Sequence, residues 1–345
     1  MRQPPALLLL ALAAALTLAA ALALAAAPAH ANDTSAELGT GGLIMTKNAD
    51  IDMRSEDLFI SEQEIRVTYH FFNHSAADVA LRVAFPLPDV VYADQDSNIV
   101  IPDPTSENFL DFATKVNGAA VKMELEQKAL VKGTDRTAYL RQLGLDLAFY
   151  KDSTAAALDQ LPRDKWAEMV KLGLGEITEY DQGKGMLKHL EPRWTLKSAY
   201  HWQQTFPAGQ EIVIEHSYKP SVGGSVGTSI GTKNWDKQEA ATYARNYCLD
   251  ASVFAYAEQA MKKARAEYPP LTESRIEYIL KTGANWASPI GDFRLAVDKG
   301  AAENLISVCG SGWKKTSATR FEFHQTNFTP AQDFYLLILK PRKDN

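Results

Sequence analysis

A mainly β protein with helical insertions, built on an antiparallel β-sandwich, is what this sequence predicts. Three observations carry the expectation. Ile65, Val67, Tyr69 and Phe71 alternate with Arg66, Thr68 and His70, and Val79, Leu81, Val83 and Phe85 alternate with Ala80, Arg82 and Ala84. A period of two marks strands with one buried face. The same alternation returns in Ile276, Tyr278 and Leu280 and in Phe293, Leu295 and Val297. Between these stretches the apolar period twice widens to that of a helix, at about 134–190 and again from Asp250 to about Glu267.

The chain opens with Met1-Arg2, an Ala/Leu run from Ala6 to Ala27, and then Pro28-Ala29-His30-Ala31. A basic start, an apolar stretch and an Ala-x-Ala site read as a secretory signal peptide over 1–31, cleaved before Asn32. Left uncleaved, the run is long enough to serve as a membrane anchor. No second apolar run of that length follows, so the mature chain is expected to be periplasmic or secreted, with no transmembrane span after cleavage. The leader holds one arginine and no acid, so its removal moves the formal charge from −6 to −7. That mild acidity, with no Lys/Arg cluster, argues against nucleic acid as a partner.

A mature chain of this length exceeds one compact core and divides into about two domains. The expected division is a β-sandwich module over 32–232, carrying the helical insertion at about 134–190, and a helix followed by a second β module over 233–345. Cys248 and Cys309 are the only cysteines. An even count in an exported protein points to a disulfide between them, with two buried thiols as the other reading. Two cysteines and scattered histidines do not supply a zinc set, and no cofactor or metal is expected.

Within the first module, Asn73-His74-Ser75-Ala76-Ala77 supplies turn formers at hairpin length, so the strands on either side are expected to pair antiparallel. Pro86, Pro88, Pro102 and Pro104 then bound an irregular stretch. It holds Asp94-x-Asp96-x-Asn98, which resembles the start of a calcium loop. Ile99 stands where that loop needs glycine, so a solvated acidic loop is expected. Asn117-Gly118 predicts a type I′ turn in a hairpin over 112–131. Asp135 can cap a helix carrying Leu140, and Leu161-Pro162 opens another with Trp166, Met169 and Val170 on one face.

Strands resume at Leu196. Pro207-Ala208-Gly209 makes a turn whose register would set Tyr200 opposite His216 and His201 opposite Glu215. That reading has His216 packed inside and the His201–Glu215 pair on the surface. Ser221 to Gly231 is a Gly/Ser-rich connector that matches the Gly-x-Ser-x-Gly elbow around Ser225 and Ser229. The elbow needs a strand turning straight into a helix, and Pro220 with the late helix signal at Asp236 reads instead as a loop. Asp250 caps the last helix, with Phe254, Ala257, Met261 and Ala264 inward and Pro269-Pro270 as its stop. Strands around Leu305–Val308, Arg320–His324 and Phe334–Leu339 complete the chain.

Several segments taken together resemble a family of exported bacterial proteins, domain of unknown function 4424. They are Asn32 to Leu38 with Gly41-Gly42-Leu43, then Asp52 to Leu58, Phe85-Pro86-Leu87-Pro88, Trp202 to Pro207, His216 to Pro220, Tyr247-Cys248, Trp286 with Pro289-Ile290, and Cys309. The resemblance spans nearly the whole mature chain and implies export and an immunoglobulin-like sandwich. It brings no catalytic residues with it.

Function is the least legible property. In Asp50-Ile-Asp52-Met-Arg54-Ser-Glu56-Asp57, strand alternation would place Asp52, Arg54 and Glu56 on one face. Two carboxylates flanking a cation could bind a polar ligand or act as an acid/base pair. A salt-bridged solvent face explains the same pattern. The expected function is therefore a non-enzymatic binding or structural protein of the cell envelope, its partner another envelope protein or a surface polymer. The alternative is a hydrolase of envelope carbohydrate or ester using Asp52 and Glu56, or Ser225.

Overall fold

The computed structural model describes residues 32–39, 42–92, 98–181, 183, 185–266 and 268–342, and over these the protein is mainly β. The expected leader over 1–31 and residues Asp94–Ser97 of the acidic loop lie outside them.

The widest sheet has eight strands, in the order Lys314–Lys315, Arg320–Phe328, Ile290–Asp298, Ile51–Ile60, Ile65–Asn73, Glu211–Tyr218, Ala113–Val116 and Ala119–Ala120. A seven-stranded sheet runs Thr134–Asp135, Glu124–Val131, Thr195–Phe206, Val79–Pro86, Thr34–Gly39 and Gly42–Thr46, with Val90–Val91 also on Thr195–Phe206. A five-stranded sheet runs Leu305–Val308, Phe334–Pro341, Leu271–Tyr278, Val222–Ser225 and Asn98–Val100.

The eight-stranded sheet packs its inner face on both of the others. Phe85 of the seven-stranded sheet meets His216 and Tyr218 of the eight-stranded one and Tyr278 of the five-stranded one, with ring centroids 5.0, 5.7 and 6.3 Å away. The stretches on either side of residue 232 interleave rather than separate. Ile290–Asp298 lies parallel to Ile51–Ile60, with Leu295 beside Leu58, inside the same sheet.

The period-two stretches are strands with the expected inward residues, but two expected hairpins do not form. Ile65–Asn73 belongs to the eight-stranded sheet and Val79–Pro86 to the seven-stranded one. Likewise Thr195–Phe206 pairs with Val79–Pro86, while Glu211–Tyr218 pairs with Ile65–Asn73. Both short turns arch from one sheet to the other. Alternation fixes which side chains point inward, and an arch buries the same face as a hairpin, so only the partners decide.

Asn73, fully buried, ties the arches together. Its Nδ2 donates to Ala77 O and Phe206 O at 2.9 and 2.8 Å, and its main-chain carbonyl accepts from Gly209 N at 3.0 Å. The Asn117-Gly118 hairpin does form, with both residues at positive φ, at the edge of the eight-stranded sheet. Its expected return over 124–131 joins the seven-stranded sheet instead.

A β-bulge interrupts Ile51–Ile60. Met53 faces Phe71, yet Ser55 faces His70, which leaves Arg54 without a partner in the register. Inward positions switch from Ile51 and Met53 to Glu56, Leu58 and Ile60. One extra residue reverses every later side chain. On the other flank, a Cβ at Gly291 would stand 2.5 Å from Arg54 O. Gly291→Ala should therefore cost roughly 1–3 kcal/mol through backbone displacement, measured by urea unfolding. An unchanged midpoint would mean the bulge relaxes without resistance.

The helices clothe the outer faces. Thr137–Gln142, Asp152–Gln160 and Arg163–Lys171 bury Leu140, Leu158, Trp166 and Met169 against Ala129, Leu196 and Trp194. The helical expectation ends there, because Gly175–Asp181 and Met186–Pro192 form a two-stranded hairpin. Lys237–Tyr247 and Ala251–Ala264 start at Asp236 and Asp250, each carboxylate accepting from two main-chain N–H groups of its first turn. They cover the five-stranded sheet through Tyr243, Tyr247, Val253 and Ala257 on Leu271, Leu337 and Leu339. Phe254 and Ala264, expected inward, are exposed, and Val253 takes the inward role. The run Leu336-Leu337-Ile338-Leu339 is buried at every position because its sheet is covered on both faces. Cys248, which ends its helix in the left-handed region, is disulfide-bonded to Cys309.

Candidate functional site

The three side chains singled out from sequence stand apart. Asp52 lies on the outer face of the eight-stranded sheet, 3.2 Å from His74 Nδ1. Arg54 lies over the Phe72 ring at 3.5 Å and 3.6 Å from Glu211. Glu56 is fully buried, on the opposite face from Asp52, so the expected one-faced trio does not exist. Ser225 ends a strand of the five-stranded sheet across from Glu273, and its hydroxyl accepts from Gly227 N at 3.4 Å. The depression beside it is lined by Glu62, Lys219, Glu273 and Lys340, with no histidine among its lining residues. Nor does His201 meet Glu215. It is buried in the other sheet with Nδ1 2.8 Å from Arg82, and burial and that guanidinium hold its pKa down.

What the fold does assemble is a polar cluster inside the sandwich. The bulge delivers Glu56 to it, and the segment leading into Thr34–Gly39 delivers Asn32 and Asp33. Asn32 Nδ2 donates to Glu56 Oε2 at 3.0 Å. Asp33 Oδ1 is 3.0 Å from His216 Nε2, and His216 Nδ1 is 2.8 Å from Thr114 Oγ1, so both ring nitrogens are engaged. Trp286 Nε1 donates to Asp33 O at 2.7 Å, and Tyr69 and Tyr278 share a hydroxyl contact of 2.9 Å.

Asn32, Asp33 and Glu56 are 0% exposed. Glu56 Oε1 and Asp33 Oδ2 have no hydrogen-bond partner among the described residues. Burial raises both acids. For Glu56 the Asn32 amide and the nearby Tyr278 hydroxyl oppose the rise and the Asp33 charge adds to it, and its pKa goes from 4.5 to about 8. For Asp33 the charge of His216 works against burial. The sequence signal that could have found this cluster is the unbroken polar run Asn32-Asp33-Thr34-Ser35 at the mouth of a strand.

The Glu56 shift makes stability depend on pH in a chain whose Asn32 nitrogen remains in a peptide bond. Between 4.5 and about 8 the folded protein holds the Glu56 proton that the unfolded chain has released. Stability then falls as pH rises through that window, by up to about 1.4 kcal/mol per unit, and levels above it. Glu56→Gln keeps the acceptor for Asn32 and should remove that slope. Parallel stability–pH curves for the two proteins would refute it.

The second feature is open to solvent. The Thr34–Gly39/Gly42–Thr46 hairpin bends over the outer face of its own sheet, where the small Ala84 and Ala199 accept Ala36 and Leu43. Glu126 secures it, its carboxylate accepting from Leu43 N at 2.9 and 3.0 Å. Between hairpin and sheet lies a groove of about 640 Å³, walled by Leu43, Met45, Leu87 and Leu130 and rimmed by Lys47, Lys128, Lys197, Asp89, Glu126 and Asp135. Lys197 pairs with Asp89 at 3.7 Å and Lys128 with Glu126 at 3.3 Å. An apolar floor with charges of both signs at the rim suits an amphipathic ligand.

Among the described residues no group of three or more metal-ligating side chains converges, and no helix is long and apolar enough to cross a membrane.

Fold and geometry thus define a mainly β protein with a buried polar cluster inside its sheets and a groove on an outer face. The chain belongs to the family described as domain of unknown function (DUF4424), whose pattern matches residues 31–337. No curated protein matches it. Among solved structures, a candidate nutrient-binding protein from Legionella pneumophila is similar over 90% of this chain and 70% of its own, at 16% identity and a TM-score of 0.43. An M1 zinc metallopeptidase from Deinococcus radiodurans is similar over 85% of this chain and 43% of its own, at 10% identity and a TM-score of 0.21.

Proposed function

We propose that this is an exported, non-enzymatic binding protein of the cell envelope that holds its ligand in the groove beneath the N-terminal hairpin. The observation that carries the reading is the groove, with apolar walls and a rim of Lys47, Lys128, Lys197, Asp89, Glu126 and Asp135. The secretory pattern over 1–31 and the disulfide support export. The ligand class that fits is an envelope protein segment or surface polymer with apolar and acidic parts. An immunoglobulin-like organisation of the sandwich belongs to the same reading, and such sandwiches commonly present binding surfaces on a rigid frame.

The test places a photoreactive side chain at Ile44, in the groove wall, and separately at Phe254 on a helix of the five-stranded sheet. Cross-linking in intact envelopes should give a defined product from Ile44 only, and Lys47→Glu should reduce it several-fold. Equal products from both positions, or indifference to the charge reversal, would overturn the groove as the binding site.

A further inference from the structure

Asn32 and Asp33 are fully buried, although they follow directly on the Ala29-x-Ala31 cleavage pattern. The cluster around them holds two carboxyl groups and one histidine. Glu56 Oε1 and Asp33 Oδ2 face the interior without a hydrogen-bond partner among the described residues. Nor, among the described residues, does a lysine or arginine pair with either carboxyl. Asp33 has His216 beside it, and among the described residues Glu56 has no basic side chain as partner. A buried anion without a counter-ion carries a large desolvation cost, met by a proton or a neighbouring cation. The Asn32 side chain reaches Glu56 at 3.0 Å, so the nitrogen that cleavage would free belongs to the residue already touching that carboxylate. Packing holds it there, since a Cβ at Gly283 would come within 2.8 Å of Asn32 Nδ2.

We propose that cleavage before Asn32 leaves a buried α-ammonium group that serves as counter-ion to Glu56 and Asp33, so that leader removal completes the interior of the fold. In the step, an exported endopeptidase adds water across the Ala31–Asn32 amide. Hydroxide goes to the Ala31 carbonyl carbon, the C–N bond breaks, and the Asn32 nitrogen takes the remaining proton of the water and the proton of the new Ala31 carboxyl group, leaving a carboxylate and an ammonium. An amide nitrogen carries no charge, so before cleavage Glu56 is accommodated as the neutral acid. Afterwards the ammonium favours its ionised form. The groups facing Glu56 are then the ammonium, Asp33 and the Tyr278 and Tyr69 hydroxyls, with His216 beyond Asp33. This rests on the export reading proposed above and not on the groove, and N-terminal sequencing tests export separately from burial of the amine.

The experiment uses the exported full chain. Intact mass and N-terminal sequencing should give Asn32 as the first residue. An amine-reactive ester at neutral pH should label the Asn32 amine at least about 100-fold more slowly in the native protein than in urea, because a buried amine reacts only through opening. A chain extended by one alanine before Asn32 should unfold at lower temperature than the processed chain, and Glu56→Gln should shrink that difference. Free labelling of the native amine, a different first residue, or an equal penalty in both backgrounds would overturn the proposal. If the extended chain fails to fold, labelling of the processed protein still decides.

Discussion

Replacing His216 with alanine is expected to destabilise the protein by about 3–5 kcal/mol, the cost of removing one partner of a buried, hydrogen-bonded pair. The physical reason is the Asp33 carboxyl. Its Oδ1 has His216 Nε2 as partner at 3.0 Å, and both side chains are 0% exposed. Without the ring, a fully buried carboxyl loses the side chain that satisfies it. The imidazole also fills space between Phe85, Phe112 and Trp202, with centroids 5.0, 5.2 and 5.6 Å away. A double-mutant cycle separates the two contributions. Asp33→Asn combined with His216→Leu removes the charge and keeps most of the volume, so the pair should cost well under the sum of the single changes. The measurement is urea unfolding of the four proteins. Strict additivity would show that packing alone, and not the pairing, sets the loss.

Breaking the Cys248–Cys309 bond should cost about 4 kcal/mol by the chain-entropy relation for a loop of this length. The two residues are 61 apart in sequence. Between them lie Ala251–Ala264, Leu271–Tyr278 and Ile290–Asp298, elements that belong to two different sheets and a covering helix. Cross-linking the ends of so long a segment removes many unfolded conformations. The bond also pins the end of Lys237–Tyr247 to the edge strand Leu305–Val308, where Ser307 Oγ donates to Tyr247 O at 2.8 Å. The Cys248→Ser/Cys309→Ser protein should therefore unfold at clearly lower urea concentration, and reductant should shift the wild type alone. A wild-type midpoint unmoved by complete reduction would disprove the contribution.

The residues that sequence reading misplaces share a cause. Alternation counted straight through Arg54 puts Glu56 on the Asp52 face, and the bulge that breaks it carries no proline or glycine of its own. The residue that accommodates it is Gly291, far along the chain. His201 falls against Glu215 in a hairpin because the Pro207-Ala208-Gly209 turn fits one. The arch is chosen instead by Val79–Pro86 and Ile65–Asn73, the strands that receive each arm. The hairpin over 175–192 is hidden because its short apolar spacing also fits a helix. None of the groove is visible in sequence, since its walls come from stretches as distant as Leu43 and Ser198.

The sequence by itself determined the β-rich class, the inward side chains of most strands, the helix starts at Asp236 and Asp250, the Asn117-Gly118 turn, and the family. Most of these rest on interactions within a few residues, where spacing and side-chain type are sufficient. Tertiary structure decided which sheet each strand joins, the reversal after Arg54, the burial of Asn32, Asp33 and Glu56 together, and the groove under the N-terminal hairpin. Those depend on strand pairing and close backbone approach between distant segments. Several partners can bury the same alternating face, and only the complete packing selects one.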